Sequence, residues 1–300
     1  MVIPNILAKL IHTAAIMLRP LSCIAALAAV LPTVQAETIW ARGVSEQSGW
    51  VDINKAVTPD GKAWANATEG GMCYAAAAAN LIVWWQAQYC NIPTGTPNTQ
   101  EAVWSTYVQY ANHGGGQASC ALQWWFSGSY NGPVFAPKNT LLNLRQELYY
   151  NQEAVNTTLE QFICYKGGTS LVEAANAEGG LSASIVNAFK EGKGLAIGLS
   201  GISHTVTLWG VEVDATTQTI TKLWLTDSDD IRADLGNYTS PAIFPVDVKT
   251  RKARINNQPI VTLQITGNDG NRGFKNAYIT ALYGIDPAVT NAPIWGLQAR

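Results

Sequence analysis

Apolar and polar positions follow a helical pattern in the first half of the chain and a strand pattern in the second. Residues 73–89 contain five consecutive Ala and an apolar run that includes Trp84-Trp85, so apolar side chains occur on nearly every face. Alanine has the highest helix propensity, and a helix that is apolar all round is normally buried. The pattern therefore predicts a buried central helix here, and further helices over 99–112, 139–150 and 182–190.

The second half consists of short segments rich in β-branched and aromatic residues and bounded by Gly, Asn or Asp. These segments predict strands, mainly antiparallel, over 195–199, 205–213, 219–225, 259–265 and 278–283. Helices followed by strands are typical of an α+β protein, in which the helices pack against a sheet. We expect the chemistry to lie between the two halves.

The first 36 residues have the features of a secretory signal peptide. Arg19 precedes an 11-residue apolar stretch, 21–31, and Val34-Gln35-Ala36 forms a small-x-small cleavage site before Glu37. A helix needs about 20 apolar residues to cross a bilayer, so this stretch is too short for a membrane anchor. We predict a signal peptide over 1–36, a single domain over 37–300, and a secreted or periplasmic protein with no membrane contact after signal removal.

The composition excludes several classes of protein. Of 300 residues, 47% are hydrophobic and 13% are charged, with a formal net charge of −2, which excludes disordered and collagen-like chains. No run of Lys and Arg is longer than two residues, so nucleic acid is not an expected partner. The chain also lacks glycine motifs for phosphates and Cys or His motifs for zinc, so we predict no cofactor and no metal.

The sequence around Cys73 predicts a thiol that a substrate can reach and whose pKa is lowered. It follows Gly70-Gly71-Met72 and begins the Ala-rich helix, where unpaired N–H groups and the positive end of the helix dipole lower the pKa of a thiol. The glycines allow a substrate to approach the sulfur. The alternative is a buried or disulfide-bonded structural cysteine.

A base for this thiol must be His113 or His204, because His12 lies in the predicted signal. His204 stands at the start of a predicted strand, and the next strand is followed by Asp227, Asp229 and Asp230. If the two strands are antiparallel, the acidic end returns to His204 and a carboxylate can orient the imidazole. The chain order Cys, His, Asp is that of papain-like peptidases; a core histidine and a solvated or calcium-binding acidic turn are the alternatives.

Several segments taken together resemble the IdeS/Mac family of secreted cysteine endopeptidases, a bacterial family. The similarity runs over residues 39–230, with the same order and similar spacing. Its segments are 40–44 (WARGV), 49–55 (GWVDINK), 73–76 (CYAA) with Asn80 and Trp84-Trp85, 203–204 (SH) with 208–210 (LWG), and 226–229 (TDSD).

The resemblance implies a papain-like α+β fold, with a helical half whose central buried helix packs on a mostly antiparallel sheet. It also implies hydrolysis of a peptide bond in a protein substrate. By residue matching, Cys73 is the nucleophile, His204 the general base and acid, Asp227 the residue that orients the imidazole, Asp229 a second acid that supports the site, and Lys55 a donor to the oxyanion. One good oxyanion donor contributes roughly 3 to 4 kcal/mol.

Two departures from the family bear on the substrate. Tyr74 stands where Gly follows the nucleophile in the family, and we expect it to narrow the cleft or change the residue accepted there. Cys90, Cys120 and Cys164 have no counterparts, which suggests a local bridge such as Cys90–Cys120 plus one unpaired thiol, with the pairing left open. Immunoglobulin G, the family's best-known substrate, is therefore one candidate among host and extracellular proteins.

Other functions are weighed against this hypothesis. His113 with the three Gly that follow resembles a lipase oxyanion segment, but no Gly-x-Ser-x-Gly motif occurs, so the segment is interpreted as a loop. A secreted protein whose Trp-rich surface binds a host protein or glycan is the alternative of a different class, although core packing is expected for most Trp. A papain-like acyltransferase or deamidase would use the same triad.

Overall fold

The computed structural model describes residues 36–55, 71–89, 96–111, 113, 115–127, 169–229, 231–232, 237–238, 242–255, 257–267 and 273–285. These residues belong to one compact unit, Gln35–Arg300. The helix expected over 139–150 lies outside them, as do Cys90, Cys164 and all of the predicted signal peptide except Ala36. The signal peptide and the domain boundaries therefore stay predictions.

Five helices are present in the described part of the chain: α1 (Cys73–Tyr89), α2 (Gln100–Tyr110), α3 (Ala118–Ser127), α4 (Thr169–Asn176) and α5 (Gly180–Lys190). The first, second and last match predicted helices to within about two residues at each end, the usual scatter of helix boundaries. Two helices, α3 and α4, were not predicted. None of the described helices is long and apolar enough to span a bilayer.

The described strands are more numerous than predicted. They are β1 (Glu37–Trp40), β2 (Gly194–Ser200), β3 (His204–Val213), β4 (Ile220–Thr226), β5 (Ile231–Arg232), β6 (Asn237–Tyr238), β7 (Phe244–Ile255), β8 (Gln258–Gly267) and β9 (Tyr278–Ile285). All five predicted strands are present, and every pairing in the main sheet is antiparallel.

The prediction of a papain-like α+β fold, with a helical half whose central buried helix packs on a mostly antiparallel sheet, is wrong. Six strands form a closed antiparallel barrel in the order β3-β2-β9-β8-β7-β4, and β4 pairs back onto β3. Strand β1 pairs with β3 outside this ring, and β5 and β6 form a separate pair. The described residues are dominated by this barrel.

The unpredicted strand β7 closes the barrel because it pairs with β4 on one side and with β8 on the other. Its first half has Phe244, Val246 and Val248 buried, and in its second half the half-buried Arg251, Ala253 and Ile255 alternate with exposed residues. The second half contains four cations in six residues, a pattern that indicates a solvated loop. Without β7, strands β4 and β8 would be two free edges and the sheet would not close.

Helix α1 is buried along most of its length, as its composition predicts. The five consecutive Ala, 75–79, and Leu81, Ile82, Trp84 and Trp85 are at most 2% exposed, and the helix packs against β2 and β3. A Cβ at Gly194 of β2 would lie 2.6 Å from the Trp84 ring, so the helix and the barrel approach closely. This contact places the start of α1 beside the end of the barrel where β3 begins.

Candidate active site

Cys73 is the first residue of α1 and is partly exposed. At this position the backbone N–H groups of the first helical turn lack partners within the helix, and the dipole adds partial positive charge. Gly71 lies beside Cys73 in the wall of a cleft. The thiol is therefore both accessible and in an environment that favours its thiolate form.

His204 is the first residue of β3 and follows a tight turn from β2. Gly201 and Ser203 both have positive φ, 89° and 49°, so the chain reverses within three residues and Leu199 pairs with His204. The Phe274 ring lies 5.9 Å from the imidazole, centroid to centroid. Turn and ring together hold the imidazole at the end of the barrel that faces Cys73.

Asp227 follows β4 directly and is 2% exposed. Because β3 and β4 are antiparallel, with Thr207 opposite Thr226, the end of β4 returns to the start of β3 as predicted. The Nε2 of His204 donates a hydrogen bond of 2.6 Å to Oδ1 of Asp227, which also accepts from the backbone N–H of Asp229 at 3.1 Å. Asp227 thereby fixes the imidazole and leaves Nδ1 for the thiol.

Lys55 and Asp229 form an ion pair in the same site. The Nζ of Lys55 lies 3.0 Å from Oδ1 of Asp229, and Oδ2 of Asp229 lies 3.9 Å from Nδ1 of His204. Lys55 is 7% exposed, and its backbone N–H donates to the carbonyl of Ser228 at 2.9 Å. The segment that ends at Lys55 is thus held against the end of β4, and the Lys55 ammonium lies in the same cleft as the Cys73 thiol.

The environment favours charge separation between Cys73 and His204. Burial opposes ionisation of Cys73, but its hydrogen bond with His204, the positive charges of His204 and Lys55, and the backbone of Thr205 hold its pKa below the ordinary value. Burial also opposes the charged form of His204, yet hydrogen bonds with Asp227 and Cys73 and their negative charges raise its pKa to about 10. A thiolate beside an imidazolium is therefore the favoured pair near neutral pH.

The site opens into a cleft of about 510 Å³ between the start of α1 and the end of the barrel. Four of the five predicted residues line it, namely Lys55, Cys73, His204 and Asp229, and Asp227 lies buried behind His204. The other lining residues carry no charged side chain and include the small residues Gly71, Gly115, Gly116, Gly198 and Ala281. The cleft thus has charged side chains at its reactive centre, and its walls are mostly small and uncharged.

Gly115 and Gly116 were interpreted as part of a loop, and the structure places them in this cleft. A side chain at Gly116 has no room, because its Cβ would lie 2.6 Å from the Tyr74 ring. Tyr74 itself is fully buried, so the expectation that it narrows the cleft directly is wrong. Tyr74 instead packs beneath Gly116, which together with Gly115 forms what we name the glycine wall of the cleft. The ring of His113 makes a hydrogen bond of 2.9 Å with the carbonyl of Val108.

Cys120 carries a free thiol, so the predicted Cys90–Cys120 bridge is wrong. Cys120 lies in the first turn of α3, 6% exposed, with its Sγ 3.9 Å from Oε1 of Gln117.

His204, Asp227 and Asp229 are also close enough to bind one metal ion, with ligand atoms within 4.8 Å of one another. Both carboxylates already have cationic partners, however: Asp227 pairs with His204, and Asp229 with Lys55. A metal ion would have to replace both pairings, so the arrangement fits proton transfer better than metal binding.

No protein-family profile matches the chain, and no curated protein has significant sequence similarity to it. The resemblance to the IdeS/Mac family therefore rests on the motifs quoted above.

Proposed function

We propose that this protein is an exported cysteine endopeptidase that hydrolyses a peptide bond of an extracellular protein. The proposal depends chiefly on one arrangement: Cys73 and His204 line the same cleft, and Asp227 holds the imidazole from behind through a hydrogen bond of 2.6 Å. A nucleophile, a base and a residue that orients the base are the three parts of covalent acyl transfer.

In the first half of the reaction, the Cys73 thiolate attacks the carbonyl carbon and a C–S bond forms. The carbonyl oxygen becomes an oxyanion, for which the Lys55 ammonium and a backbone N–H at the start of α1 are the proposed donors. The tetrahedral intermediate collapses when Nδ1 of His204 protonates the leaving amine and the C–N bond breaks. The products are a free amine and a thioester on Cys73.

In the second half, His204 is neutral and takes a proton from water at Nδ1. The hydroxide equivalent adds to the thioester carbonyl, the C–S bond breaks, and a carboxylic acid leaves. Cys73 departs as a thiolate, and the proton kept by His204 restores the imidazolium. Asp227 remains ionised throughout, since its role is to stabilise and orient the imidazolium.

A binding protein that uses paired Trp residues on its surface is disfavoured by their burial. Trp84, Trp85, Trp124 and Trp125 are each at most 2% exposed. Rings this deep in the core have no face left for a glycan or a protein.

The first test is labelling by iodoacetamide at pH 6, with Cys120 as an internal control thiol. We expect Cys73 to alkylate at least about tenfold faster than Cys120, because Cys73 is partly exposed and its pKa is lowered, whereas Cys120 is buried. The same protein is then incubated with a panel of immunoglobulins and other secreted host proteins, and new termini are read by mass spectrometry.

The matched control is Cys73→Ala, which should leave the fold intact and abolish every cut. Discrete cuts that survive in Cys73→Ala, or a Cys73 that alkylates no faster than Cys120, would overturn the proposal. Rapid alkylation without cuts, but with transfer to an added amine or release of ammonia, would instead indicate an acyltransferase or a deamidase.

A further inference from the structure

Positive charge is concentrated on one hairpin of the barrel. Residues 248–267, in β7 and β8, contain Lys249, Arg251, Lys252 and Arg254 and no acidic residue. From Glu37 onwards the chain has 17 basic and 21 acidic residues; without these four cations, 13 basic and 21 acidic residues remain, a net charge of −8. We name these four residues the basic arm.

Three of the four cations in the basic arm are solvated, and they have no acidic partner among the residues that the structure describes. Lys249, Lys252 and Arg254 are exposed, and none of them forms an ion pair with a carboxylate of a described residue. The five residue steps from Lys249 to Arg254 span about 17 Å at about 3.4 Å per residue. Because successive side chains of a strand point to opposite faces, Lys249 and Arg251 lie on one face of the hairpin and Lys252 and Arg254 on the other, so the arm presents cations on both faces along this length.

The basic arm is connected to the rim of the cleft through Tyr278. The Arg251 guanidinium lies 4.4 Å from the centre of the Tyr278 ring, and Tyr278 pairs with Ser200 at the end of β2. The residues that follow Ser200 and Tyr278, including Ile202, Ser203 and Thr280, line the cleft. A chain that leaves the cleft on this side meets the arm next.

We propose that the basic arm is an exosite that binds an acidic segment of the protein substrate while the scissile bond lies at Cys73. This inference rests on the proposed function. The walls of the cleft are mostly small and uncharged, so they discriminate little between side chains, and a protease that selects a protein needs a further contact. Charge complementarity supplies selectivity and accelerates association.

An acidic polypeptide fits the arm better than a membrane surface does. Val261, opposite Lys252, is 49% exposed and is the exposed large hydrophobic residue of this hairpin. Peripheral membrane binding needs a wider apolar face beside the cations. The arm instead adjoins the cleft, where a polypeptide substrate enters.

The first experiment measures binding without catalysis. A fluorescein-labelled decaglutamate peptide is titrated into the Cys73→Ala protein at low salt, and anisotropy is recorded. We expect saturable binding that weakens with salt and that weakens at least about tenfold in Lys249→Glu/Lys252→Glu/Arg254→Glu. For a matched pair, Lys252→Glu should weaken binding, while Lys190→Glu, the same charge change on exposed Lys190 of α5, should not.

The second experiment measures cleavage by the otherwise wild-type chain. Two fluorogenic peptides share one cleaved sequence, and one carries an added hexaglutamate segment. We expect the acidic peptide to have the lower KM, and the triple variant to lose this preference. Equal binding of decaglutamate by the triple variant, or binding of phosphatidylserine vesicles without binding of the peptide, would overturn the exosite.

The two proposals fail in distinguishable ways. Slow alkylation of Cys73 with intact decaglutamate binding would refute the peptidase, whereas rapid alkylation and normal cleavage with no charge effect would refute the exosite.

Discussion

At the level of single residues, the site is a row of alternating charges. Lys55, Asp229, His204 and Asp227 follow one another, with 3.0 Å between the first two and 2.6 Å between the last two. Three of these side chains are at most 9% exposed. Each carboxylate has a cationic neighbour, and this pairing offsets the free-energy cost of removing the charges from water.

The pKa shifts predict a broad pH range for reactivity. The lowered pKa of Cys73 keeps the thiolate present below the ordinary thiol pKa, and the raised pKa of His204, about 10, keeps the imidazolium present up to that pH. We expect peptide cleavage to rise well below pH 8.5, stay level through neutrality, and fall near pH 10 as the leaving amine loses its acid. The measurement is kcat/KM against pH.

Two variants assign the limbs of this profile. Asp227→Asn removes the main charge that raises the His204 pKa, so the descending limb should move to lower pH. His204→Ala removes the hydrogen bond that lowers the Cys73 pKa, so alkylation should require higher pH. An unchanged alkylation profile in His204→Ala would contradict the ion pair.

At the level of elements, the glycine wall before α3 depends on the residue after the nucleophile. Tyr74 lies beneath Gly116, and a Cβ there would be 2.6 Å from its ring. We expect Gly116→Ala to lower the free energy of unfolding by about 1 to 3 kcal/mol through overpacking. It should also raise KM for peptides, because the wall is displaced into the cleft.

A double-mutant cycle tests this contact. Tyr74→Ala removes the ring and should make Gly116→Ala much less costly, whereas Tyr74→Phe keeps the ring and should not. Urea unfolding gives the stability, and peptide cleavage gives KM. Additive costs of Gly116→Ala and Tyr74→Ala would show that the two residues are not coupled.

At the level of the whole molecule, Asn80 joins α1 to three other parts of the chain. Its Oδ1 accepts from the backbone N–H of Ile53 at 2.8 Å, and its Nδ2 donates to Oγ1 of Thr207 at 2.9 Å and approaches Oγ1 of Thr226 at 3.5 Å. Thr226 in turn donates to the carbonyl of Val51 at 3.0 Å. This buried network fixes the segment before Lys55, the strand that begins at His204 and the strand that ends just before Asp227.

We expect Asn80→Ala to destabilise the protein by about 3 kcal/mol, because it leaves a buried N–H group and a buried hydroxyl without their partner. The thermal midpoint should fall, and Cys73 should alkylate more slowly at pH 6, since the three segments of the site lose their common anchor. Asn176→Ala, at an exposed position in α4, is the control and should change stability by less than about 0.5 kcal/mol. Equal midpoints for the two variants would refute the role of Asn80.

Local sequence determined the elements that carry the chemistry. Helix α1 follows from its Ala run and uninterrupted apolar residues, and strands β3 and β4 follow from β-branched and aromatic segments bounded by turn residues. The meeting of His204 with Asp227 could be predicted from these elements alone, because two adjacent antiparallel strands bring the end of one to the start of the other. Local propensity and short-range pairing are encoded within each segment.

Closure of the barrel was decided only by the tertiary structure. Strand β7 has four cations in its second half, a composition typical of a solvated loop, so the sequence did not predict a strand there. In the structure it pairs with β4 and β8, which come before and after it in the chain. Whether Cys120 is bridged, and whether Tyr74 faces the cleft or the core, depends in the same way on segments that meet only after folding. The physical reason is that these outcomes are set by which distant segments bury one another, and no periodicity within a segment records its partner.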